Sequence, residues 1–118
     1  MKIEEVIKQM QSHPRIKEAG MILTHLGLVR SYSLDGGEVK KLRVTHDDVK
    51  AEAIRREFLK APGIVDIVIR LNSGELSPGE PIMLCAVAGG TRDQVFPVMQ
   101  ELVERLKTET VVKKEEKA

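Results

Sequence analysis

The sequence predicts an α+β domain in which two main helices pack on a largely antiparallel sheet. Apolar residues recur at helical spacing in three segments, whereas the shorter apolar runs between them are typical of strands. The elements follow one another as α-β-β-α-β-β-α with a possible short last strand, which is typical of this class. With 118 residues the chain is long enough for one core but not for two, so we expect a single domain over residues 1–118.

The composition excludes several classes of protein. Charged residues make up 31% of the chain and hydrophobic residues 42%, as in a folded globular domain. The net charge of +1 provides no basic field, and the aromatic residues are too few to stack bases, so no nucleic-acid partner is expected. No apolar run reaches the roughly 18 residues of a membrane span, and no targeting segment is evident. We therefore expect a cytoplasmic protein with no membrane partner.

At the start of the chain, apolar residues at helical spacing predict a short amphipathic helix over residues 2–11. A strand is expected over residues 20–30, where Gly27 indicates a bulge or a close backbone approach. A turn at residues 35–37 leads into a second strand at residues 38–46. A loop of this kind is often mobile and could cover a site.

The second helix begins at Asp47 or Asp48, either of which can cap it, and ends near Leu59. Its predicted apolar stripe consists of Val49, Ala53, Ile54 and Phe58. Residues 64–71 follow as a strand. Residues 72–80 are interpreted as a tight polar connection to the next strand.

Residues 82–88 form an apolar run without charge, whose pattern alone does not separate a strand from a buried helix. Its short length, with a proline before it and two glycines after it, favours a strand that is buried on both faces. A long amphipathic helix follows, with Thr91 at the N-cap position and Gln94 at the spacing of a capping box. After that helix, residues 110–112 are a possible short edge strand. Residues 113–118 are expected to form a frayed tail.

The junction of residues 89–92 can bind an anion. Two glycines let another group approach the backbone, the positive end of the helix dipole points at the turn, and Arg92 adds a full charge. The alternative is an ordinary strand-to-helix turn with a solvated arginine, and the junction alone favours that alternative.

Cys85 and His25 are candidate reactive residues. Cys85 is the single cysteine and lies inside the apolar strand, which favours a buried structural thiol over a nucleophile. His25 could be a ligand or a base, but no second ligand stands nearby at metal-site spacing, which favours a structural role. The role of His46 is equally open. We therefore predict no metal site and no cofactor.

Four stretches resemble the large, catalytic subunit of molybdopterin synthase. GMILTHLGLVR at residues 20–30 is similar to the family's Gly-Ala-x-x-x-Phe-x-Gly-x-Val-Arg. Residues 71–92 resemble the family's pattern of Gly-x-Leu-x-x-Gly-Glu followed by a strand and His-Arg. The helix at residues 93–106 and the ending LKTETVVKKE at residues 106–115 complete the resemblance. It covers roughly residues 17–116, nearly the whole chain.

This resemblance implies an α/β-hammerhead-like fold and a role in molybdenum cofactor biosynthesis. Members of the family convert cyclic pyranopterin monophosphate into molybdopterin by installing a dithiolene. The sulfur comes from the C-terminal thiocarboxylate of a small ubiquitin-like carrier protein that ends in Gly-Gly. The resemblance also implies a homodimer of large subunits with one carrier at each end, a heterotetramer.

The resemblance assigns roles to particular residues. Arg30 matches a substrate-anion contact, and Arg92 matches the arginine that helps hold the precursor's phosphate. Lys107 matches a catalytic lysine, and the second active-site lysine falls at Lys113 or Lys114. From the residues alone, Lys107 is an ordinary lysine at the end of a helix, where its charge suits the dipole.

The chain departs from the family's pattern at several positions. Thr91 stands where the family has the histidine of its His-Arg pair, and His25 or Leu26 replaces a phenylalanine. The tryptophan before the second lysine is absent, and its place is taken by Val112 or Lys113. A second hypothesis is therefore a non-catalytic relative that binds a pterin, an oxyanion or the carrier. A third is an α+β interaction module whose lysines are surface charges.

Overall fold

The structure is a computed structural model and describes residues 1–117. Over this range three α-helices and six strands follow one another, with a short 3-10 helix at Ile16–Glu18. The helices are α1 (Ile3–Gln11), α2 (Asp48–Leu59) and α3 (Arg92–Glu109). The strands are β1 (Met21–Leu28), β2 (Val39–His46), β3 (Ile64–Leu71), β4 (Gly74–Leu76), β5 (Pro81–Gly89) and β6 (Val111–Lys117). None of these helices is long and apolar enough to cross a membrane.

The strands form two antiparallel sheets, where the sequence predicted one. One sheet has the order β1-β5-β3, and the other has the order β4-β2-β6. The sequence did not reveal the second sheet because β4 and most of β6 consist of polar residues without a strand-like apolar pattern. The predicted α+β class, with helices packed on antiparallel strands, is confirmed.

β5 is the centre of the fold and is buried on both faces, as predicted. Because side chains alternate along a strand, Met83, Cys85 and Val87 face one cluster of core residues and Leu84 and Ala86 face another. The first cluster contains the buried side chains of α2, α3 and the second sheet. The second cluster contains those of α1. β5 therefore carries helices on both sides of the first sheet.

α1 covers its face of the sheet with two buried side chains. Val6 and Met10 pack against Val65, Val68 and Leu84, and Met10 has no exposed surface. Full burial of a side chain of this size contributes about 1.5–3 kcal/mol. The predicted helix over residues 2–11 is confirmed to within one residue.

The apolar stripe predicted for α2 is wrong at two positions. Val49 is 84% exposed and Ala53 is also exposed, whereas Ala51 and Ile54 are buried. The helix is capped by Asp47, whose Oδ1 accepts a hydrogen bond from the amide of Lys50 at 2.9 Å. Because the helix begins after Asp47, the side chains that face the sheet are those of Ala51 and Ile54, which are three residues apart.

The connection predicted at residues 72–80 contains β4. Its three residues pair with residues 42–44 of β2, and Leu76 is buried against the core. Gly74 has a φ of +114°, a region that favours glycine, which lets the chain turn sharply out of β3. The single apolar residue in this polar segment was too weak a signal to predict a strand.

The junction between β5 and α3 differs from the predicted capping box. Thr91 occupies the N-cap position, but its side chain makes no capping hydrogen bond. The side chain of Gln94 lies where side chains at Gly63 and Gly90 would project, so both glycines are needed for this packing. Gln94 thus fills a gap between α3 and the start of β3.

The predicted frayed tail is wrong for residues 113–117, which belong to β6. This strand pairs with β2 over nearly its whole length, from Val111 opposite His46 to Lys117 opposite Val39. Pairing with β6 provides hydrogen-bond partners for backbone groups of β2 that would otherwise have none. For this reason β6 is ordered although its residues are strongly charged. The last residue of the chain lies outside the described range.

Candidate active site

A cavity of about 450 Å³ opens where the end of β1, the loop after it, the last turn of α3 and β6 meet. Its inner wall is apolar and comes from β1, β2 and β5. Its rim is polar and charged. The lining residues are Gly27, Leu28, Val29, Arg30, Tyr32, Ser33, Leu34, Asp35, Val39, Leu42, Ile82, Met83, Lys107, Val111, Lys113 and Glu115.

Three positively charged residues reach this cavity from three separate elements. Arg30 lies two residues after the end of β1, Lys107 stands in the last turn of α3, and Lys113 lies in β6. The bulge between Gly27 and Leu28 shifts the register of β1 just before Arg30, and it confirms the irregularity predicted at Gly27. Two carboxylates, those of Asp35 and Glu115, also line the cavity, so its lining holds one more positive than negative side chain.

The strand register decides which of the two candidate lysines lies in the cavity. Lys113 is opposite Val44, which is fully buried, whereas Lys114 is opposite Arg43, which is exposed. Paired residues in an antiparallel ladder share a face, so Lys113 points inward and Lys114 points away. Lys113 lines the cavity and Lys114 does not.

The pKa of Lys113 reflects the charges around the cavity. Burial lowers the pKa of Lys113 below its usual value, and the charges of Lys107 and Arg30 lower it further, while Glu115 opposes the shift. Repulsion among the three cations is therefore only partly relieved inside the protein. An anion in the cavity would relieve it, since opposite charges close to one another favour the charged forms.

Two histidines are influenced by the charges of the cavity lysines. Burial lowers the pKa of His25, and the charge of Lys107 lowers it further. Burial also lowers the pKa of His46, where Asp48 opposes the shift and Lys113 adds to it. The Nδ1 atom of His46 lies 3.0 Å from Ser73 Oγ. Within residues 1–117, neither histidine belongs to a cluster of three side chains that could hold a metal ion.

Cys85 lies in the core close to Lys107. It is fully buried, and burial raises the pKa of its thiol to about 12, although the charge of Lys107 opposes this shift. The thiol is therefore protonated at neutral pH and is a poor nucleophile. This agrees with the predicted structural thiol.

The loop after β1 covers the cavity and is tied to β6. The buried hydroxyl of Ser33 makes hydrogen bonds with Asp35 and, at 3.0 Å, with Glu115 Oε1. Lys117 Nζ donates to Asp35 Oδ1 at 3.3 Å and to the carbonyl of Gly36 at 3.0 Å. We call these five residues the loop latch. A turn could be predicted at residues 35–37 but this latch could not, because Ser33 and Glu115 are 82 residues apart in the chain.

Arg92 and Thr91 are not part of this cavity. Arg92 begins α3 and Lys107 ends it, and at about 1.5 Å of rise per residue they are ~22 Å apart along the helix. At the β5–α3 junction, the amide of Gly90 donates to the carbonyl of Gly63 at 2.9 Å. One amide that was expected to face an anion is therefore already bonded.

Arg30 also contacts a residue that the sequence analysis did not single out. Its guanidinium lies over the ring of Tyr32, 5.7 Å from the ring centre, and Tyr32 is 57% exposed. Such an arrangement holds an arginine in place without neutralising its charge. The spacing of an arginine two residues before an aromatic residue is too common to have predicted this contact.

The chain was compared with known proteins. A sequence profile of the family described as MoaE protein matches residues 1–109. The chain is 32% identical over 94 residues to the molybdopterin synthase catalytic subunit of Cereibacter sphaeroides, an alignment that covers 76% of this chain and 62% of that protein. The aligned region thus spans less than two thirds of this relative's length.

Two solved structures have a similar fold. Molybdopterin synthase from Staphylococcus aureus superimposes with a TM-score of 0.81 at 21% identity, covering 100% of this chain and 86% of that one. A chain from the complex of subunits 1 and 2 of molybdopterin-converting factor from Helicobacter pylori gives a TM-score of 0.73 at 18% identity, covering 98% and 78%. The profile match extends over most of the sequence, and the chain belongs to the MoaE protein family.

Proposed function

We propose that this chain acts in molybdenum cofactor biosynthesis as the large, catalytic subunit of a molybdopterin synthase. The observation that carries the proposal is the meeting of Arg30, Lys107 and Lys113 in one partly apolar cavity. The relative from Cereibacter sphaeroides, a molybdopterin synthase catalytic subunit, supports the same assignment.

The substrates of such a reaction suit this cavity. Cyclic pyranopterin monophosphate and a C-terminal thiocarboxylate are both anions, and the cavity offers three cations against an apolar inner wall. A guanidinium binds a phosphate or carboxylate with two parallel hydrogen bonds, so Arg30 is proposed to hold the substrate anion. The apolar wall lowers the local dielectric and so strengthens these contacts.

The two lysines are proposed to carry the chemistry of sulfur transfer. Because the pKa of Lys113 is lowered, more of its side chain is the free amine at neutral pH, as a base or nucleophile requires. Lys107 lines the same cavity and is proposed as the second catalytic group. Lys114 points away from the cavity, so no catalytic role is proposed for it.

The partner is proposed to be a small ubiquitin-like carrier whose Gly-Gly tail enters the cavity. The solved complex of subunits 1 and 2 of molybdopterin-converting factor supports a two-subunit assembly of this kind. Leu34 is 80% exposed and Leu28 is 49% exposed, so two apolar side chains lie beside the charged groups of the rim. A narrow tail without side chains fits such an entrance.

Arg92 is proposed to act from a second copy of the chain. Within one copy it is ~22 Å from Lys107 along α3, too far for both to contact one small substrate. A homodimer that brings Arg92 of one copy to the cavity of the other would supply the phosphate contact. Together with one carrier on each copy, this gives a heterotetramer.

A turnover assay tests the proposal. The purified protein is mixed with the thiocarboxylated carrier from the same organism and with cyclic pyranopterin monophosphate, and the dithiolene product is measured. We expect product from the wild type and from Lys8→Ala, on α1 at the opposite face of the sheet, and none from Lys107→Ala.

A second candidate function is a non-catalytic relative that binds the carrier, a pterin or an oxyanion. It is favoured by Thr91, which stands where the family has a histidine and makes no capping bond. Carrier binding without product in the same assay would support this candidate. Absence of both binding and product would contradict both.

A further inference from the structure

His25 points toward the catalytic side of the first sheet. It is opposite Cys85 in the ladder between β1 and β5, and Cys85 belongs to the core cluster that contains the inward side chains of α3. Residues that face each other across an antiparallel ladder project from the same face. The imidazole therefore lies between β1 and α3, the helix that carries Lys107.

The Nε2 atom of His25 is shielded from solvent and has no hydrogen-bond partner within residues 1–117. A buried polar atom left without a partner is unfavourable by about 1–3 kcal/mol, so it needs an explanation. The atom is also 3.6 Å from the position that a Cβ at Gly27 would take. Gly27 lines the cavity, and it has no side chain that would come between Nε2 and the cavity.

Lys107 is the charged group near His25. It lines the same cavity as Gly27, and α3 packs against β1. The charge of Lys107, after burial, lowers the pKa of His25, so the imidazole is neutral at neutral pH. The ionisable group facing it from β5 is the protonated thiol of Cys85, and its neighbours on β1, Thr24 and Leu26, do not titrate.

A neutral imidazole has one nitrogen that can accept a hydrogen bond, and a lysine ammonium has three hydrogens to donate. We propose that His25 is a positioning residue for Lys107, whose side-chain nitrogen it holds at the Gly27 wall of the cavity through a hydrogen bond to Nε2. Lys107 is exposed in the structure, so this hydrogen bond requires its flexible side chain to change rotamer. The catalytic consequence of this hydrogen bond rests on the proposed function, whereas the hydrogen bond itself does not.

The proposal predicts a dependence on pH with a definite sign. Below its pKa, His25 gains a proton at the accepting nitrogen, so it can no longer accept from Lys107 and repels it instead. Turnover should therefore fall on the acid side as His25 becomes charged. The groups that face His25 are Lys107 from α3 and Cys85 from β5, and the thiol keeps its proton throughout this range.

The first test uses the complete chain without turnover. The pKa of His25 is measured by NMR titration in the wild type and in Lys107→Gln. We expect the pKa to rise toward 6.5 when the lysine charge is removed. An unchanged pKa would overturn the proposal, whether or not the protein has synthase activity.

The second test compares two substitutions of the histidine in the synthase assay. His25→Phe removes the acceptor, and we expect kcat to fall on the order of 10- to 100-fold with KM little changed, as for a misplaced catalytic group. His25→Gln keeps an acceptor that cannot be protonated, so it should retain most of kcat and lose the acid limb of the pH profile. Equal kcat for the wild type and His25→Phe, or an acid limb retained in His25→Gln, would overturn the proposal while leaving the proposed function intact.

Discussion

Lys113 lies opposite the fully buried Val44 in the ladder between β6 and β2, and this pairing turns its side chain into the cavity. Lys114, one residue later, is opposite the exposed Arg43 and points to solvent. A shift of the pairing by one residue would exchange the two lysines. The register of a single edge strand thus determines which lysine lines the cavity.

The first prediction follows from this register. Lys113→Ala should lower dithiolene formation strongly, by on the order of 100-fold, because it removes a catalytic base or nucleophile. Lys114→Ala should leave the rate within about twofold of the wild type and is the matched control. Initial rates of product formation, measured side by side, check this. A larger loss in Lys114→Ala than in Lys113→Ala would show that the register is wrong.

The second prediction concerns stability. Since the folded state lowers the pKa of Lys113 below 10.5, the unfolded chain binds its proton more tightly. Wild-type stability therefore gains from this residue as pH rises through the window between the lowered pKa and 10.5. Lys113→Met should raise the free energy of unfolding at pH 7 by a few tenths of a kcal/mol, since solvent screens this exposed side chain.

Urea unfolding of the wild type, Lys113→Met and Lys114→Met across this pH window measures the effect. The gain of Lys113→Met over the wild type should shrink toward high pH, and Lys114→Met should match the wild type. A gain that stays constant with pH would mean that charge repulsion in the cavity is not its cause.

The third prediction concerns the β5–α3 junction, which sets the direction of α3 and therefore the position of Lys107. A Cβ at Gly89 would lie 2.6 Å from Val95 Cγ2 and 3.0 Å from the carbonyl oxygen of Gly63. Gly89→Ala should destabilise the protein by about 1–3 kcal/mol through overpacking. The double variant with Val95→Ala relieves the larger clash, so its loss should be smaller than the sum of the two single losses. Strictly additive losses in chemical denaturation would refute this close contact.

The fourth prediction concerns the loop latch. Ser33→Ala removes the hydroxyl that joins the loop to Glu115, so the loop should open more often. The amide of Val39, which donates to the carbonyl of Ser31 at 2.9 Å, reports on this opening. Loss of about 0.5–1.5 kcal/mol of hydrogen bonding predicts roughly 2- to 10-fold faster hydrogen exchange there. Ser31→Ala, which removes an exposed hydroxyl from the same loop, is the control and should leave that rate unchanged.

The elements that could be predicted are those whose apolar residues alone define them. The length and flanks of the run at residues 82–88 favour a buried strand, and Asp47 caps the start of α2. β6 could not be predicted because Lys113, Glu115 and Lys117 carry charge on its inward side. Their partners belong to the loop after β1 and to the cavity, and no local pattern in the sequence indicates such contacts.

Two residues of the candidate site could be predicted from the sequence, but the arrangement of the site could not. The resemblance to the family pointed to Arg30 and Lys107, and it left Lys113 and Lys114 undecided. The pairing of β6 with β2 separates those two lysines, and the length of α3 separates Arg92 from the cavity. Both distinctions arise from tertiary structure, which joins segments that are far apart in the chain.

The most direct measurement of the central claim is an NMR titration of lysine side chains with a peptide that ends in the carrier's Gly-Gly carboxylate. Lysine 13Cε signals are assigned by single substitution and followed as the peptide is added. If the cavity receives the carrier's tail, the signals of Lys107 and Lys113 shift with a common Kd while that of Lys114 stays in place. Shifts at Lys114 without shifts at Lys107 and Lys113 would contradict the account.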